Sequence, residues 1–140
     1  MKRISAIALF TIATLAASTG LFAQQPAVKA NIPFNFTVGE QSMPAGDYTI
    51  TSPSRHIVLI QSADRQHFGM VIGSDSSHEA AAGRPALVFD KYGEYYFLHR
   101  VLSRANTSLN QDVALGNVEK RVRIREARLG TEEQILVAAR

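Results

Sequence analysis

From Val28 to Leu102 the chain is a series of short stretches in which apolar and polar residues alternate. Each stretch is closed by proline, glycine or a cluster of small polar residues. Phe34, Phe36 and Val38 alternate with Asn35 and Thr37 before Gly39. Alternation with a period of two turns one side of a segment to a core and the other to solvent, which is the pattern of a strand. Such a chain is expected to be mostly β: a single antiparallel β-sandwich or partly open barrel, Greek-key-like, with a short C-terminal helix.

The turn Met43-Pro44-Ala45-Gly46 leads into Asp47-Tyr48-Thr49-Ile50, with Tyr48 and Ile50 on one strand face. The spacing of Met43, Gly46 and Tyr48 is that of a tyrosine corner, in which a buried phenol donates to backbone a few residues upstream. His56 to Ser62 and His67 to Ser74 then read as a hairpin around Ala63-Asp64-Arg65. Parity puts Ile57, Leu59, Phe68, Met70 and Ile72 on one face, which the pattern assigns to the core, and Gly69 on the other. Asp75 to Gly83 is polar and small, and reads as an exposed loop.

Ala86 to Asp90 and Glu94 to Leu102 form a second expected hairpin, with a three-residue turn Lys91-Tyr92-Gly93. That register gathers Leu87, Phe89, Tyr95 and Phe97 in the core and leaves Tyr92 and Tyr96 exposed as binding candidates. Ser103 to Gly116 has little periodicity and reads as loop. A helix over 117–129 is expected next, with Asn117 as its cap, Gly130 beyond its end and Val118, Val122 and Leu129 near one face. The rival is a strand, because Val122 and Ile124 alternate with Arg121, Arg123 and Arg125. Glu133 to Ala138 reads as a last strand.

The start of the chain reads as an address. Lys2 and Arg3 precede an uncharged stretch from Ile4 to Ala23, and Gln24-Gln25-Pro26 follows. A basic start, an apolar run and a small residue at the cut are the marks of a secretory signal peptide. Residues 1–23 are therefore expected to be removed, leaving 24–140 as one β-rich domain with a short flexible lead over 24–27. An uncleaved anchor is the rival, weakened by Ser5, Thr11, Thr14, Ser18, Thr19 and Gly20 within the run. Removing Lys2 and Arg3 takes the formal net charge from +3 to +1, so nucleic acid is not an expected partner. The chain has no cysteine, which excludes disulfides, thiolate metal sites, lipid attachment at Cys and cysteine nucleophiles. Export without cysteine suits a bacterial envelope, periplasmic or extracellular, better than a small disulfide-stapled secreted protein.

The block from Ala30 to Gly39, then Met43-Pro44-Ala45-Gly46-Asp47-Tyr48, resembles a family of small exported bacterial β-rich proteins whose function is unassigned. Leu87 to Gly93 and Tyr96-Phe97-Leu98 resemble the second block of that family. The resemblance spans roughly residues 28–128 with gaps, and it implies no catalytic residues. It also implies a polar segment and a short charged helix after the second hairpin. Ser103 to Gly116 departs from its pattern.

Candidates for chemistry are few. His56, His67 and His78 recur every eleven residues, and His99 follows. In the first hairpin His67 faces Ile60 or Ser62, which leaves it more than about 10 Å from His56 at ~3.3 Å per residue. No Gly-x-Ser-x-Gly elbow, phosphate loop or dinucleotide fingerprint occurs. Ser74-Asp75-Ser76-Ser77-His78 reads as solvated loop rather than triad. Lys120, Arg121, Arg123, Arg125 and Arg128 cluster late against Glu119 and Glu126, either as a solvated helix face or as a contact for anionic lipid or polymer. Asn35-Phe36-Thr37 and Asn106-Thr107-Ser108 match glycosylation acceptors, which bear only on a eukaryotic route.

The expectation is an exported, non-enzymatic domain with a binding or structural role in the cell envelope, without cofactor. Its partner would be an envelope protein, polymer or lipid surface. One alternative is a small envelope hydrolase or metal-dependent enzyme using His78 or His99 with nearby Asp or Glu. The other is membrane-surface association through the basic segment.

Overall fold

The computed structural model describes residues 27–78, 80, 83–103, 107–130 and 132–140. The expected signal segment, Glu79 and Asn106 lie outside the described residues.

Among the described residues ten strands form one continuous sheet that is not closed. Its first layer is antiparallel: β1 (Ala27–Ile32), β4 (Gly46–Thr51), β5 (Ile57–Ser62) and β6 (Phe68–Asp75). Strand β6 then passes into the second layer, where Gly73–Asp75 pair with β9 (Gln111–Val113). Beyond β9 come β8 (Tyr95–Leu102), β7 (Ala86–Tyr92) and β10 (Glu132–Ala138), all antiparallel. The short strand β2 (Phe36–Val38) runs parallel to β8 through Thr37 and Phe97, and β3 (Gln41–Met43) folds back on it. The two far edges meet at one point. Lys29 and Arg140 exchange backbone hydrogen bonds of 2.8 and 2.9 Å.

The core lies between the layers. Val28, Ala30 and Ile32 from β1, Tyr48 and Ile50 from β4, and Val58 and Ile60 from β5 meet Leu87, Phe89, Leu98 and Val101 from β7 and β8. The ring of Phe36 stands edge-on to Tyr48 at 5.1 Å and to Phe89 at 5.4 Å. Phe34 stacks on Tyr96 at 4.0 Å and meets Phe89 edge-on at 5.2 Å. Aromatic pairs of this kind add about 0.5–1.5 kcal/mol each beyond the area they bury. The tyrosine corner forms as its spacing predicts: Tyr48 Oη donates to the carbonyl of Pro44 at 2.6 Å.

Helix α1 (Asn117–Glu126) lies on the outer side of the second layer, where Val122 packs with Tyr92 and Phe97. The helix therefore prevails over the rival strand. Asn117 is not its cap. Gly116 holds that position, and Glu40 from the β2–β3 turn accepts the Asn117 N–H at 3.0 Å. A Cβ on Gly116 would lie 2.4 Å from the carbonyl oxygen of Gly39, so only glycine lets the helix start against that turn. Leu129, expected near the buried face, is exposed beyond the helix end.

Four further expectations need correction. The segment Ser103 to Gly116 is not all loop: it holds a 3-10 turn at Thr107–Leu109 and strand β9. Ala27, expected in the flexible lead, already belongs to β1. The second hairpin turns at Gly93-Glu94, with Tyr92 opposite Tyr95, rather than at Lys91-Tyr92-Gly93. Gly93 takes the left-handed conformation at φ +62°. That shift leaves Leu87 and Phe89 on the core face but turns Tyr95 and Phe97, both expected in the core, to the outer side of the layer. There Phe97 and Tyr92 are buried under α1 and Tyr95 is exposed.

The last correction is the largest. Ile57, Leu59, Phe68, Met70 and Ile72 do share a face, as the pairs Ile57–Ile72 and Leu59–Met70 show, but that face points outward. The inner face of β6 carries Gly69, Val71 and Gly73 instead. Val38 of β2 packs over Gly69, only 3.6 Å from where a Cβ would stand. A Cβ on Gly73 would meet Gln111 Oε1 at 2.3 Å. At Gly73 there is no room for any side chain, and at Gly69 anything larger than a Cβ would press on Val38.

Replacing Tyr48 with Phe removes the hydroxyl and leaves the Pro44 carbonyl without this donor. Unfolding free energy is expected to fall by about 1–2 kcal/mol, read as the urea midpoint at unchanged slope. An unchanged midpoint would show that the corner contributes nothing.

Candidate functional site

The outer face of β5 and β6 is the candidate docking site. Phe68 is 47%, Met70 62% and Ile72 71% exposed. Ile57 and Leu59, opposite Ile72 and Met70, are half-buried and extend the patch across two strands. Behind β5 Val58 and Ile60 fill the core, so that strand is apolar on both sides. The three exposed side chains, with Ile57 and Leu59, make one contiguous apolar patch, and large patches of this kind are often contact surfaces.

Charge is confined to the two ends of the patch. At one end Arg55 Nη2 contacts Asp75 Oδ2 at 2.6 Å, with His56 Nδ1 3.9 Å from the same carboxylate. That guanidinium holds the Asp75 carboxyl below the usual carboxylate range. At the other end the Asp64 carboxylate accepts from the Ser62 hydroxyl and from the Gln66 N–H, which lowers its pKa. Both acids are thus held ionised beside partners of their own, and the strands between them present no charge outward.

The outer side of the other layer is covered and holds the second cluster of interest. Glu119 of α1 and Asp90 of β7 are each 4% exposed. Asp90 accepts from Gln134 Nε2 at 3.0 Å, and its second oxygen lies 3.1 Å from His99 Nδ1. That approach is not aligned as a hydrogen bond, so the buried His99 nitrogen lacks a satisfied partner. Among the described residues Glu119 Oε1 is likewise without a hydrogen-bond partner. Burial first, and then the Asp90 charge, push the Glu119 carboxyl up to about 7, against a smaller opposing pull from Arg123. Burial, helped by Asp90, Glu119 and Glu132, pushes the Tyr92 phenol up to about 12.

These placements decide the candidates read from sequence. Tyr92 is buried and is not part of an exposed surface. Tyr96 is half-buried beneath Phe34, with Lys91 Nζ 5.8 Å from its ring centre. Lys120, Arg121, Arg123, Arg125 and Arg128 are all exposed on α1 or just past it. His56 and His67 sit at opposite ends of the first hairpin, His67 opposite Ser62 as parity requires. His78 Nδ1 lies 3.5 Å from Ser76 Oγ. His99 meets Asp90 on one side and Arg100 Nη2, at 3.4 Å, on the other. Among the described residues no three His, Asp or Glu side chains are grouped to hold a metal ion.

Sequence reasoning missed Phe68, Met70 and Ile72 as surface residues by giving them to the core. The signal that would have found them is the spacing Gly69, Gly73 on the opposite face, which marks a side closed by close approach of other backbone or side chains. The buried pair of Asp90 and Glu119 carried no sequence signal. No family model, no curated protein and no solved structure matches the chain.

The raised Glu119 pKa has a defined sign. The neutral acid is favoured by folding, so its contribution is full below the ordinary carboxyl range and is lost as pH rises through about 7. Stability is expected to fall by on the order of 2–3 kcal/mol between pH 5 and pH 8.5 from this group. Glu119→Gln should flatten that part of the pH profile and raise the denaturation midpoint at pH 8.5. A wild-type profile that does not fall over this range contradicts the account.

Proposed function

We propose that this chain is an exported, non-catalytic binding domain of the bacterial cell envelope, and that it holds a protein partner against the outer face of β5 and β6. The observation that carries the reading is the sorting of side chains on β6, with Gly69 and Gly73 inward and Phe68, Met70 and Ile72 outward. Leaving three large apolar side chains about half to two-thirds exposed forgoes roughly half of the ~1.5–3 kcal/mol that full burial of each would give. A partner that covers them recovers that energy as affinity.

A protein surface fits the patch better than a lipid one. The face is uncharged along both strands, and its flanking charges are paired or half-paired at the ends. An apolar sheet or helix face with a polar rim is the complement of such a surface. Export is supported by the Lys2-Arg3 start and the uncharged run to Ala23.

The reading is tested by the native mass of the protein taken from its host's envelope, set against its denatured mass. The expected result is the chain plus a second polypeptide. Ile72→Lys, at an exposed position, should return the native mass to that of the bare chain while changing stability by no more than about 0.5 kcal/mol. A complex that survives both Ile72→Lys and Met70→Lys would refute the assignment of this face.

A further inference from the structure

Helix α1 sorts its charges by side. Both acids turn inward: Glu119 is buried against Asp90, and a carboxylate oxygen of Glu126 sits 3.2 Å from where a Cβ on Gly93 would stand. Arg123 lines a cavity of about 290 Å³ with Tyr92, Glu126 and Glu132. Lys120, Arg121, Arg125 and Arg128 are exposed, and among the described residues none of them forms an ion pair. Ile124, 68% exposed, stands among them, with Lys120 and Arg121 one turn before it on the helix and Arg128 just past the helix end. Leu129, 71% exposed, follows at the helix end.

We propose that this face of α1 binds the anionic headgroups of a lipid leaflet, with Ile124 entering between them. On this face four cations without ion pairs among the described residues surround one large exposed apolar side chain. A soluble polyanion would engage the four cations and make no use of Ile124. A leaflet takes both, because its charged surface attracts Lys and Arg while the boundary beneath accepts apolar side chains. The face belongs to the outer side of the β7–β8 layer, whereas Phe68, Met70 and Ile72 lie on the other layer. A lipid-bound chain therefore keeps its docking face clear of the membrane, and the inference stands whether or not a protein partner occupies that face.

Vesicle flotation tests it, using the chain from Gln24 to Arg140, which contains every described element and lacks the apolar leader. With vesicles of phosphatidylcholine mixed with phosphatidylglycerol, the protein is expected to float at low salt and to be released as salt screens the contact. With phosphatidylcholine alone it should stay behind. Arg121→Gln with Arg128→Gln should lower partitioning about 25-fold, at about fivefold for each charge. Ile124→Ser should weaken vesicle binding while leaving retention on immobilised heparin unchanged. Equal flotation on neutral vesicles overturns the proposal, as would retention on heparin with no vesicle binding. An Ile124→Ser variant that floats like the wild type would assign the contact to charge alone and overturn it too.

Discussion

The close approach of other side chains to the inner face of β6 fixes much of the molecule. Val38 rests on Gly69, and Gln111 rests on Gly73 with its amide donating to Ser52 Oγ and to the Ser108 carbonyl. Those two contacts bring the β2–β3 hairpin and β9 against β6, at the place where the sheet passes from one layer to the other. Because the inner side is filled from outside the strand, the large side chains of β6 have only one direction left. The exposed apolar face is thus a consequence of how the corner is packed rather than an isolated surface feature.

The outer sides of the two layers solve opposite problems. Beneath α1 the second layer carries the buried Asp90, a buried phenol and Phe97, and a helix must cover them. The helix does so with Val122 and Glu119 inward, and its own cations are left to face outward. The first layer has no cover among the described residues, and its β5–β6 half is apolar while β4 offers Thr49 and Thr51. One side is therefore suited to a basic contact and the other to an apolar one, and the core between them keeps the two apart.

Much of the fold is legible in the residues themselves. Alternation finds β4, β5, β6, β7, β8 and the final strand, and the Met43, Gly46, Tyr48 spacing finds the Tyr48 bond to Pro44. Charge and the pattern of Val118 and Val122 find the helix. What alternation does not report is which of two apolar faces is the inner one. In Ile57-Val58-Leu59-Ile60 both faces are apolar, and the choice is made by Val38 and Gln111, which are remote in sequence. The single-residue shift of the turn at Gly93 is equally invisible, yet it turns Tyr95 and Phe97 from the core face to the outer side of the layer. Strand β9 escapes because three residues are too few to show a period.

Methionine oxidation tests the central claim most directly. Met43 is fully buried at 0% exposure in the core, and Met70 is 62% exposed at the middle of the apolar face. Sulfoxide formation follows access. Treating the dilute isolated protein with limiting peroxide and mapping peptides by mass should show Met70 oxidised early, with Met43 reduced until denaturant is added. Protection of Met70 equal to that of Met43 would mean that β6 presents its large side chains to the core, and the account of both the corner and the docking face would fail.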